Sequence, residues 1–417
     1  MGRAAEAFVQ WLFPPGEPSR IPLVAVTGTN GKTTTSRMIA RIMRTAGWVP
    51  GMASTSGVYI NETLQKAGDL AGSGGHHILF ESRAINMGVL ETARGAVAHS
   101  GFMFDWCDVG VCLNVTADHI GEYGVDTLEQ MAAIKRSVME RVRRAVVLNA
   151  DYPTCSAMLP FPPGVRVYLA SVESDIGSVR ERVNGPAHAC VVEQENGADF
   201  IVLYEPAGNR VPLMPVSSIP ATFDGAARFN ISNAQHAICA CLALGIELDA
   251  MRQALCSFDA SFENNPGRLN IYRGLPFTVI MDYAHNPDGM ARLGEFIDRL
   301  DVSGRRILMF AVTGNRTDQE VAACARAPIG LFDHFVCRSY PVLRGREPGE
   351  IPKLMKAALL EAGVEEQRIT VVLDPEEAPL RALGLAHAGD LVVMTVGSGE
   401  FERLWQRIVS WQPDIAA

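Results

Sequence analysis

Short apolar runs alternate with longer amphipathic stretches over the first part of the chain. Four of these runs have the length of buried strands: "IPLVAVTG" (21–28), "AINMGVLET" (84–92), "DVGVCLNVT" (108–116) and "AVVLNAD" (145–151). Apolar strands separated by helical stretches are typical of a parallel sheet covered by helices. We therefore predict an α/β domain built on a mostly parallel sheet.

Residues 160–222 break this pattern, because "LPFPPGVRVYLA", "ACVVEQENGADFIVLYEP" and "RVPLMPVSS" resemble antiparallel strands and turns. We predict a small inserted β region there, followed by a helix from about residue 233 to 244. The stretch "SFENNPGRLN" (261–270) has the composition of a linker, and a second α/β series follows it. The predicted divisions are a lead-in over 1–20, a central domain over 21–265 and a smaller Rossmann-like domain over 266–417.

Composition narrows the classes of function. The chain has 417 residues, 48% of them hydrophobic, and a formal net charge of -9. An acidic protein is poorly suited to coating nucleic acid or an anionic membrane. Its apolar runs fall short of the roughly 18 residues of a membrane-spanning helix, and the first twenty residues lack the layout of a secretory signal. Nine cysteines without a C-x-x-C pair indicate reduced thiols, so we expect a cytoplasmic protein.

The turn after the first strand reads "GTNGKTT" (28–34) and precedes a helical stretch. The strict P-loop pattern needs a glycine where this chain has Val26, so only G-x-x-G-K-T remains. Backbone N–H groups at a helix N-terminus can still hold phosphate oxygens, although a plain glycine-rich turn is the alternative. The expected phosphate-binding residues are Gly28, Thr29, Asn30, Gly31, Lys32, Thr33 and Thr34.

Polar residues at two further strand ends suggest a magnesium site. Glu91 ends one apolar run, and His119 follows another. The carboxyl ends of parallel strands lie along one edge of a sheet, so both side chains are expected near the hydroxyl of Thr33. Taken singly, each residue fits equally well as a helix cap or a solvated loop residue.

A lysine falls on the apolar stripe of a predicted helix. In "DTLEQMAAIKRSVMERV", Thr127 and Gln130 form the pattern of a capping box, and Lys135 lies on the same face as Met131 and Val138. Burial lowers the pKa of a lysine, so a neutral Lys135 amine could take up CO₂ as a carbamate. The alternative is a lysine that extends along the helix edge into solvent.

These motifs, in this order, resemble the Mur ligase family: "VTGTNGKTT", a strand-end glutamate, "NVTADH" with a lysine following, "PGRLN" and "DYAHNP". The resemblance begins near residue 20 and covers nearly all of the chain after it. It implies ATP and Mg²⁺ as cofactors, held by the phosphate loop and by Thr33, Glu91 and His119. It further implies a carbamylated Lys135.

The resemblance also implies roles for residues further along the chain. Asn230 and Asn233 are expected beside the nucleotide, and Arg268, Asp282 and His285 are expected to reach the ribose and phosphates from the second domain. Lys32, Lys135, Arg268 and His285 are the expected catalytic residues. Four arginines are candidate substrate contacts, because guanidinium groups bind carboxylates bidentately: Arg94, Arg316, Arg344 and Arg346. For the last two, a solvated surface loop is an equally good interpretation.

The implied reaction joins a carboxylate, activated as an acyl phosphate, to an amine. Within the family the resemblance is greatest to members that attach arginine to the aspartate side chain and that also carry an ATP-grasp half. We therefore expect a small amino acid and an acidic peptide or amino acid as substrates. A partner-dependent or non-catalytic subunit of a separate ATP-grasp ligase, a glutamate-adding enzyme, an internal amide-forming enzyme and a homo-oligomer stay open. Ser56, Ala96 and His99 depart from the family pattern in segments expected to face the acceptor.

Overall fold

The computed structural model describes residues 11, 20–118, 120–121, 124–183, 187–397 and 399–412. Within these residues, seventeen strands form two sheets. The strands are β1 Leu23–Thr27, β2 Pro50–Ser54, β3 Gly57–Ile60, β4 Thr63–Lys66, β5 Met87–Glu91, β6 Cys107–Cys112, β7 Val142–Asn149, β8 Arg166–Ser171, β9 His188–Glu195, β10 Ala198–Tyr204, β11 Arg210–Pro215, β12 Asn270–Tyr272, β13 Thr278–Asp282, β14 Arg306–Phe310, β15 His334–Arg338, β16 Ile369–Val372 and β17 Leu391–Thr395.

Thirteen α-helices occur in the same part of the chain. They are α1 Lys32–Thr45, α2 Ser73–Phe80, α3 Arg94–Ser100, α4 Leu128–Met139, α5 Pro153–Ser156, α6 Ile176–Glu181, α7 Arg228–Ala243, α8 Leu248–Cys256, α9 Pro287–Asp298, α10 Asp318–Arg326, α11 Glu350–Glu361, α12 Glu377–Gly384 and α13 Phe401–Ser410. Across the described residues, no helix combines the length and the apolar character that a membrane crossing requires. The helix predicted from about residue 233 begins five residues earlier, at Arg228.

The first sheet has the strand order β11-β10-β9-β8-β7-β6-β1-β5-β2-β3-β4. Strand β1 lies at its centre, between β5 and β6, and pairs with both in parallel. All five residues of β1 are buried, because helices cover both faces of the sheet. This explains why the central strands are continuous apolar runs without alternation. The predicted α/β class is confirmed.

The region predicted as an antiparallel insertion differs from that expectation. Strand β8 pairs in parallel with β7 and with β9, and within this region the antiparallel pairs are β9 with β10 and β10 with β11. All four strands extend the edge of the first sheet instead of forming a separate layer. A short apolar strand has the same composition in either direction, so composition alone does not distinguish the two pairings.

The second sheet has the order β12-β13-β17-β14-β15-β16, parallel except for the edge strand β12. One face packs against a core that includes Phe296 and Met355, and the other against a core that includes Phe401 and Leu404. We refer to the parts built on the two sheets as the first and second domains. The linker predicted over 261–270 connects them as a loop.

A buried ion pair joins two loops of the second domain. Arg338, at the end of β15, is 1% exposed and donates from Nη1 and Nη2 to the two carboxylate oxygens of Glu400, at 2.8 and 2.9 Å. Glu400 also accepts the backbone N–H of Gly397, which follows β17. The Arg338 guanidinium holds the pKa of this carboxyl below its usual range, against the effect of burial. The pair therefore ties together the carboxyl ends of β15 and β17.

We expect Glu400→Gln to lower the free energy of unfolding by about 3–5 kcal/mol, because it leaves the Arg338 charge buried without a counterion. Urea denaturation measures this loss. Glu361→Gln is the matched control, since Glu361 pairs with Arg326 at the surface and its loss should cost less than about 1 kcal/mol. Equal costs for the two variants would contradict the role given to the buried pair.

Candidate active site

A cleft of about 1180 Å³ lies between the two domains and opens to solvent. The first domain contributes the loop between β1 and α1 and the end of β5, and the second contributes the segment after β13. Ligands of open parallel sheets bind at these carboxyl ends of the strands. Most of the predicted nucleotide-binding residues line the cleft: Thr29, Asn30, Gly31, Lys32, Thr33, Thr34, Asn230, Asn233, Arg268 and Asp282.

The loop between β1 and α1 has the conformation of a phosphate cradle. Gly31 has a φ of 87°, and a Cβ atom there would lie 2.3 Å from Oδ1 of Asn233, so no other residue fits. The Asn114 side chain accepts the backbone N–H groups of Thr29 and Asn30 at 2.9 and 2.8 Å. Lys32 begins α1 and donates to carbonyls of the loop itself. The preformed loop and its lysine fit the polyphosphate of a nucleotide.

Oxygen donors for a magnesium ion lie beside this loop. Glu91, 1% exposed at the end of β5, accepts the Thr33 hydroxyl at 2.9 Å and the Thr55 hydroxyl at 2.8 Å. Carboxylate and hydroxyl oxygens are ligands that suit Mg²⁺. His119, the third predicted ligand, lies outside the described residues. No cluster of three or more His, Cys, Asp or Glu side chains with metal-binding geometry occurs among the described residues, so Thr33 and Glu91 are the described candidates.

Hydrogen bonds from the phosphate loop cross the cleft. The Asn30 side chain donates to Asp288 at 2.8 Å and exchanges hydrogen bonds with the side chain of Asn286. Asn286 also donates to Asp118, which forms an ion pair with the buried Arg316 of the second domain. The two domains are thus held closed around the loop.

The second domain places a cation beside the candidate metal ligands. Nη2 of Arg268 lies 3.4 Å from the Thr33 hydroxyl, and its guanidinium lies 4.2 Å above the ring of Tyr283. Asp282 accepts the N–H groups of Leu269 and Ala284, and burial raises the pKa of its carboxyl. These contacts fix the linker end that carries Arg268.

The two predicted asparagines on α7 are buried at the wall of the cleft. Nδ2 of Asn230 donates to the carbonyl of Ala221, and Asn233 accepts the hydroxyl of Thr35. Asn233 also donates to Asn230. Their amides therefore lock α7 against the phosphate-loop helix, while the neighbouring Phe229 and Leu293 give this side of the cleft apolar surface.

His285 lies in the segment after β13 and lines the cleft. Its Nδ1 lies 2.8 Å from the carbonyl oxygen of Tyr283, and its Nε2 lies 3.8 Å from Asp118. A carboxylate beside the second ring nitrogen orients the imidazole. The ring is thereby positioned in the cleft between the two domains.

Lys135 lies on α4, outside the lining of the cleft. The predicted capping box of Thr127 and Gln130 is confirmed, and Lys135 is 3% exposed. Burial, with the nearby Lys32 charge, lowers the pKa of its amine to about 8. This amine forms no hydrogen bond or ion pair with another residue in the described part of the chain. It is therefore a buried amine that can lose its proton near neutral pH.

The four candidate substrate arginines lie outside the cleft lining. Arg94 and Arg316 are buried, and Arg316 is paired with Asp118. Arg346 donates to the carbonyls of Gly314 and Arg316 and pairs with acidic neighbours, so it holds its own loop together. Arg344 is exposed, and Nη1 is 3.5 Å from Asn315.

Several residues that build the site were not predicted from the sequence. Thr55 holds Glu91, and Tyr283 supports Arg268. Asn286 was visible only as part of "DYAHNPDG", where an Asn-Pro pair before a helical stretch indicates a helix start. In the structure Asn286 is the N-cap of α9, and its side chain accepts the N–H of Gly289. Its contact with Asn30 depends on the relative placement of the two domains.

Comparisons with known proteins give the family. The Mur ligase middle domain matches residues 26–241, and the Mur ligase glutamate ligase domain matches residues 267–399. The chain belongs to the Mur ligase family, whose members are ATP-dependent, ADP-forming ligases. It is 36% identical over 392 residues to the cyanophycin synthetase of Crocosphaera subtropica, a match covering 94% of this chain and 44% of that protein. The chain thus spans less than half the length of the cyanophycin synthetases it matches.

More distant relatives and solved structures agree with this family. The UDP-N-acetylmuramyl-tripeptide synthetase of Deinococcus radiodurans is 28% identical, over 93% of this chain and 75% of that protein. E. coli FolC in complex with DHPP and ADP has a TM-score of 0.66 at 17% identity, covering 97% of this chain and 91% of that one. The MurF ligase from Thermotoga maritima in complex with ADP has a TM-score of 0.62 at 16% identity, covering 96% and 80%. These structures share the fold.

We expect Lys135→Met to raise the free energy of unfolding below pH 8, by on the order of 3 kcal/mol, because it removes the cost of burying the ammonium. The native pKa of about 8 lies below the unfolded value, so wild-type stability rises as pH increases from 8 to about 10.5. The advantage of the variant should therefore vanish over that window. Urea denaturation in CO₂-free buffers at several pH values measures it.

Arg136→Met on the same helix is the control, because Arg136 forms an ion pair with Glu140 at the surface. Its stability difference from wild type should not change between pH 8 and 10.5. A constant difference for Lys135→Met over the same range would show that the amine keeps an ordinary pKa.

Proposed function

We propose that the chain is an ATP-dependent carboxylate–amine ligase that activates a carboxylate as an acyl phosphate and joins it to an amino acid amine. The observation that carries the proposal is the convergence of three groups at the closed cleft. Lys32 lies in the cradle, Glu91 is bonded to Thr33, and Arg268 reaches the same hydroxyl from the other domain. This constellation is suited to neutralising a polyphosphate.

Charge is the physical problem that such a reaction poses, because an anionic carboxylate must attack an anionic γ-phosphate. Lys32 and Arg268 supply two positive charges at the cradle, and a magnesium ion held by Thr33 and Glu91 would add further neutralisation of the phosphates. The asparagine contacts across the cleft hold the domains together, and a cleft kept narrow in this way would limit the access of water to an acyl phosphate.

The amine must lose a proton to attack. His285, which lines the cleft within 3.8 Å of Asp118, is the group that we propose accepts it. The amine of Lys135, buried and without a hydrogen bond to any described residue, fits a carbamate, which would convert a cation near Lys32 into an anion suited to a metal site.

For the substrates, we propose an aspartate-type carboxylate and arginine, or a closely related pair. Support comes from the similarity to cyanophycin synthetases, which is 34–36% in identity and covers 94% of this chain. Ser56, Ala96 and His99 depart from the family pattern and are positions where the acceptor specificity could differ. A protein that needs a separate ATP-grasp ligase as partner would release phosphate only when that ligase is added.

We expect Lys32→Met to reduce phosphate release at least 100-fold with a panel of amino acids and short acidic peptides, because it removes a charge at the γ-phosphate. Its melting temperature should stay near that of wild type, since the hydrogen bonds of Lys32 to described residues are to loop carbonyls. Lys353→Met, at an exposed position of α11, is the control and should keep full turnover. Product masses from the wild-type reactions identify the acceptor and the amine; near-normal turnover of Lys32→Met would exclude the proposed site.

We expect Arg344→Ala to raise the KM of the incoming amino acid about 10- to 150-fold if its guanidinium binds the α-carboxylate. The KM for ATP should be unchanged, since Arg344 lies outside the cleft lining. Arg346→Ala serves as the comparison, because it frees the carbonyls of Gly314 and Arg316 and should lower thermal stability as well. Unchanged kinetics of Arg344→Ala would identify its loop as solvated surface.

A further inference from the structure

A second cavity lies one turn further along the phosphate-loop helix, and it shares no lining residue with the cleft. Helix α1, the hairpin of β2 and β3, and the segment that leads into the linker enclose it. Tyr59 and Phe258 give it aromatic walls, and Arg37 and Arg41 face it from α1. Nothing in the ligase chemistry proposed above uses this cavity.

Arg37 is a buried cation with no counterion among the described residues. It is 8% exposed and lies 4.4 Å above the ring of Tyr59. Nη1 donates to the carbonyl of Asn264 at 3.1 Å, and Nη2 donates to the hydroxyl of Ser56 at 3.0 Å. Nε is buried without a partner, and no carboxylate of a described residue lies within ion-pair distance of the guanidinium. Burial lowers the pKa of this guanidinium from its usual value.

The acidic residues of the cavity do not neutralise Arg37. Glu62 forms ion pairs with Arg41 and with Arg44, so its charge is already matched. Glu263 is exposed at the rim and forms no ion pair with a described residue. The cavity therefore has an uncompensated positive charge inside and a negative charge at its mouth.

We propose that this cavity binds a small zwitterion of the amino-acid type, with its carboxylate on Arg37 and its ammonium group toward Glu263. An unpaired buried charge is destabilising, and a carboxylate that enters the cavity would compensate it. The guanidinium has five N–H donors, of which two are used, so it can donate hydrogen bonds to a carboxylate without losing its present contacts. A phosphate or a polyanion fits less well, because it would meet Glu62 and Glu263.

The site also has a defined place in the architecture. Arg41 donates to the side chain of Asn264, and Asn265 donates to the hydroxyl of Thr34. The cavity therefore lies where the linker is fastened to the phosphate-loop helix, and the ligand would contact both elements.

The proposal is tested by thermal unfolding with β-alanine as the probe. Wild-type protein should show a saturable rise of the melting temperature of about 2 °C or more, because a ligand that binds only the folded state stabilises it. β-Alaninamide, which keeps the ammonium and lacks the carboxylate, should give no rise. Isothermal titration under the same conditions should give a single saturable site.

Two variants locate the site. Arg37→Met removes the cation, and Ser56→Asp places a carboxylate beside Nη2 of Arg37, so both should abolish the response to β-alanine. Ser56→Asp should also raise the melting temperature measured without ligand. If Arg37→Met fails to fold, the response of Ser56→Asp to β-alanine tests the proposal by itself. Binding of ADP with magnesium should persist in both folded variants, which separates this site from the cleft. No saturable rise in wild type, or a rise retained in Ser56→Asp, would overturn the proposal.

Discussion

The contact between Asn30 and the second domain is the constraint on which the site depends. Neither sheet alone builds the cleft, because the phosphate cradle belongs to the first domain while Arg268 and His285 belong to the second. Side-chain hydrogen bonds from Asn30 to Asn286 and Asp288 hold the two domains together. Each such bond contributes only about 1 kcal/mol net, so a few of them favour the closed arrangement while allowing it to open. A site that must admit and release substrates needs a closure of this strength.

The distribution of charge around the site also suits the uptake of a ligand. Glu91 is the buried anion at the centre, and it is satisfied by hydroxyl and N–H donors of Thr33 and Thr55, not by an ion pair. Lys32, Arg268 and Lys135 surround this region without a carboxylate bound to any of them among the described residues. Unpaired cations around a cavity favour an anionic ligand, since the ligand supplies the missing charge. The site is thus arranged to be completed by what it binds.

The sequence was sufficient for features that depend on local pattern. The four apolar strands of the first domain, the phosphate loop, the strand-end position of Glu91 and the capping box before Lys135 all follow from periodicity and from turn or cap residues. The inward position of Lys135 was also readable, because the apolar stripe includes it. The helix ends at Met139, however, and Val142, in the same quoted stretch of sequence, begins β7.

Features that depend on long-range packing were not readable from the sequence. The parallel pairing of β8 is set by its neighbours in the sheet, and the position of Arg268 over Thr33 is set by the docking of one domain on the other. Arg346 shows the same limit: its loop suggested a carboxylate site, while the structure shows its guanidinium bound to carbonyls of an adjacent loop. An arginine on a glycine-containing loop has the same local sequence in both cases.

The attachment of the linker also determines how the two domains can move. Asn264 and Asn265 are bonded to α1 at Arg37, Arg41 and Thr34, only three to four residues before Arg268. A rotation of the second domain would therefore pivot close to the phosphate loop. Points near a pivot move less than points far from it, so Arg268 would stay close to Thr33 while the parts of the second domain far from the linker would move most. Arg268 would then lie near the rotation axis of the opening motion, and the loops far from the linker would undergo the largest displacement.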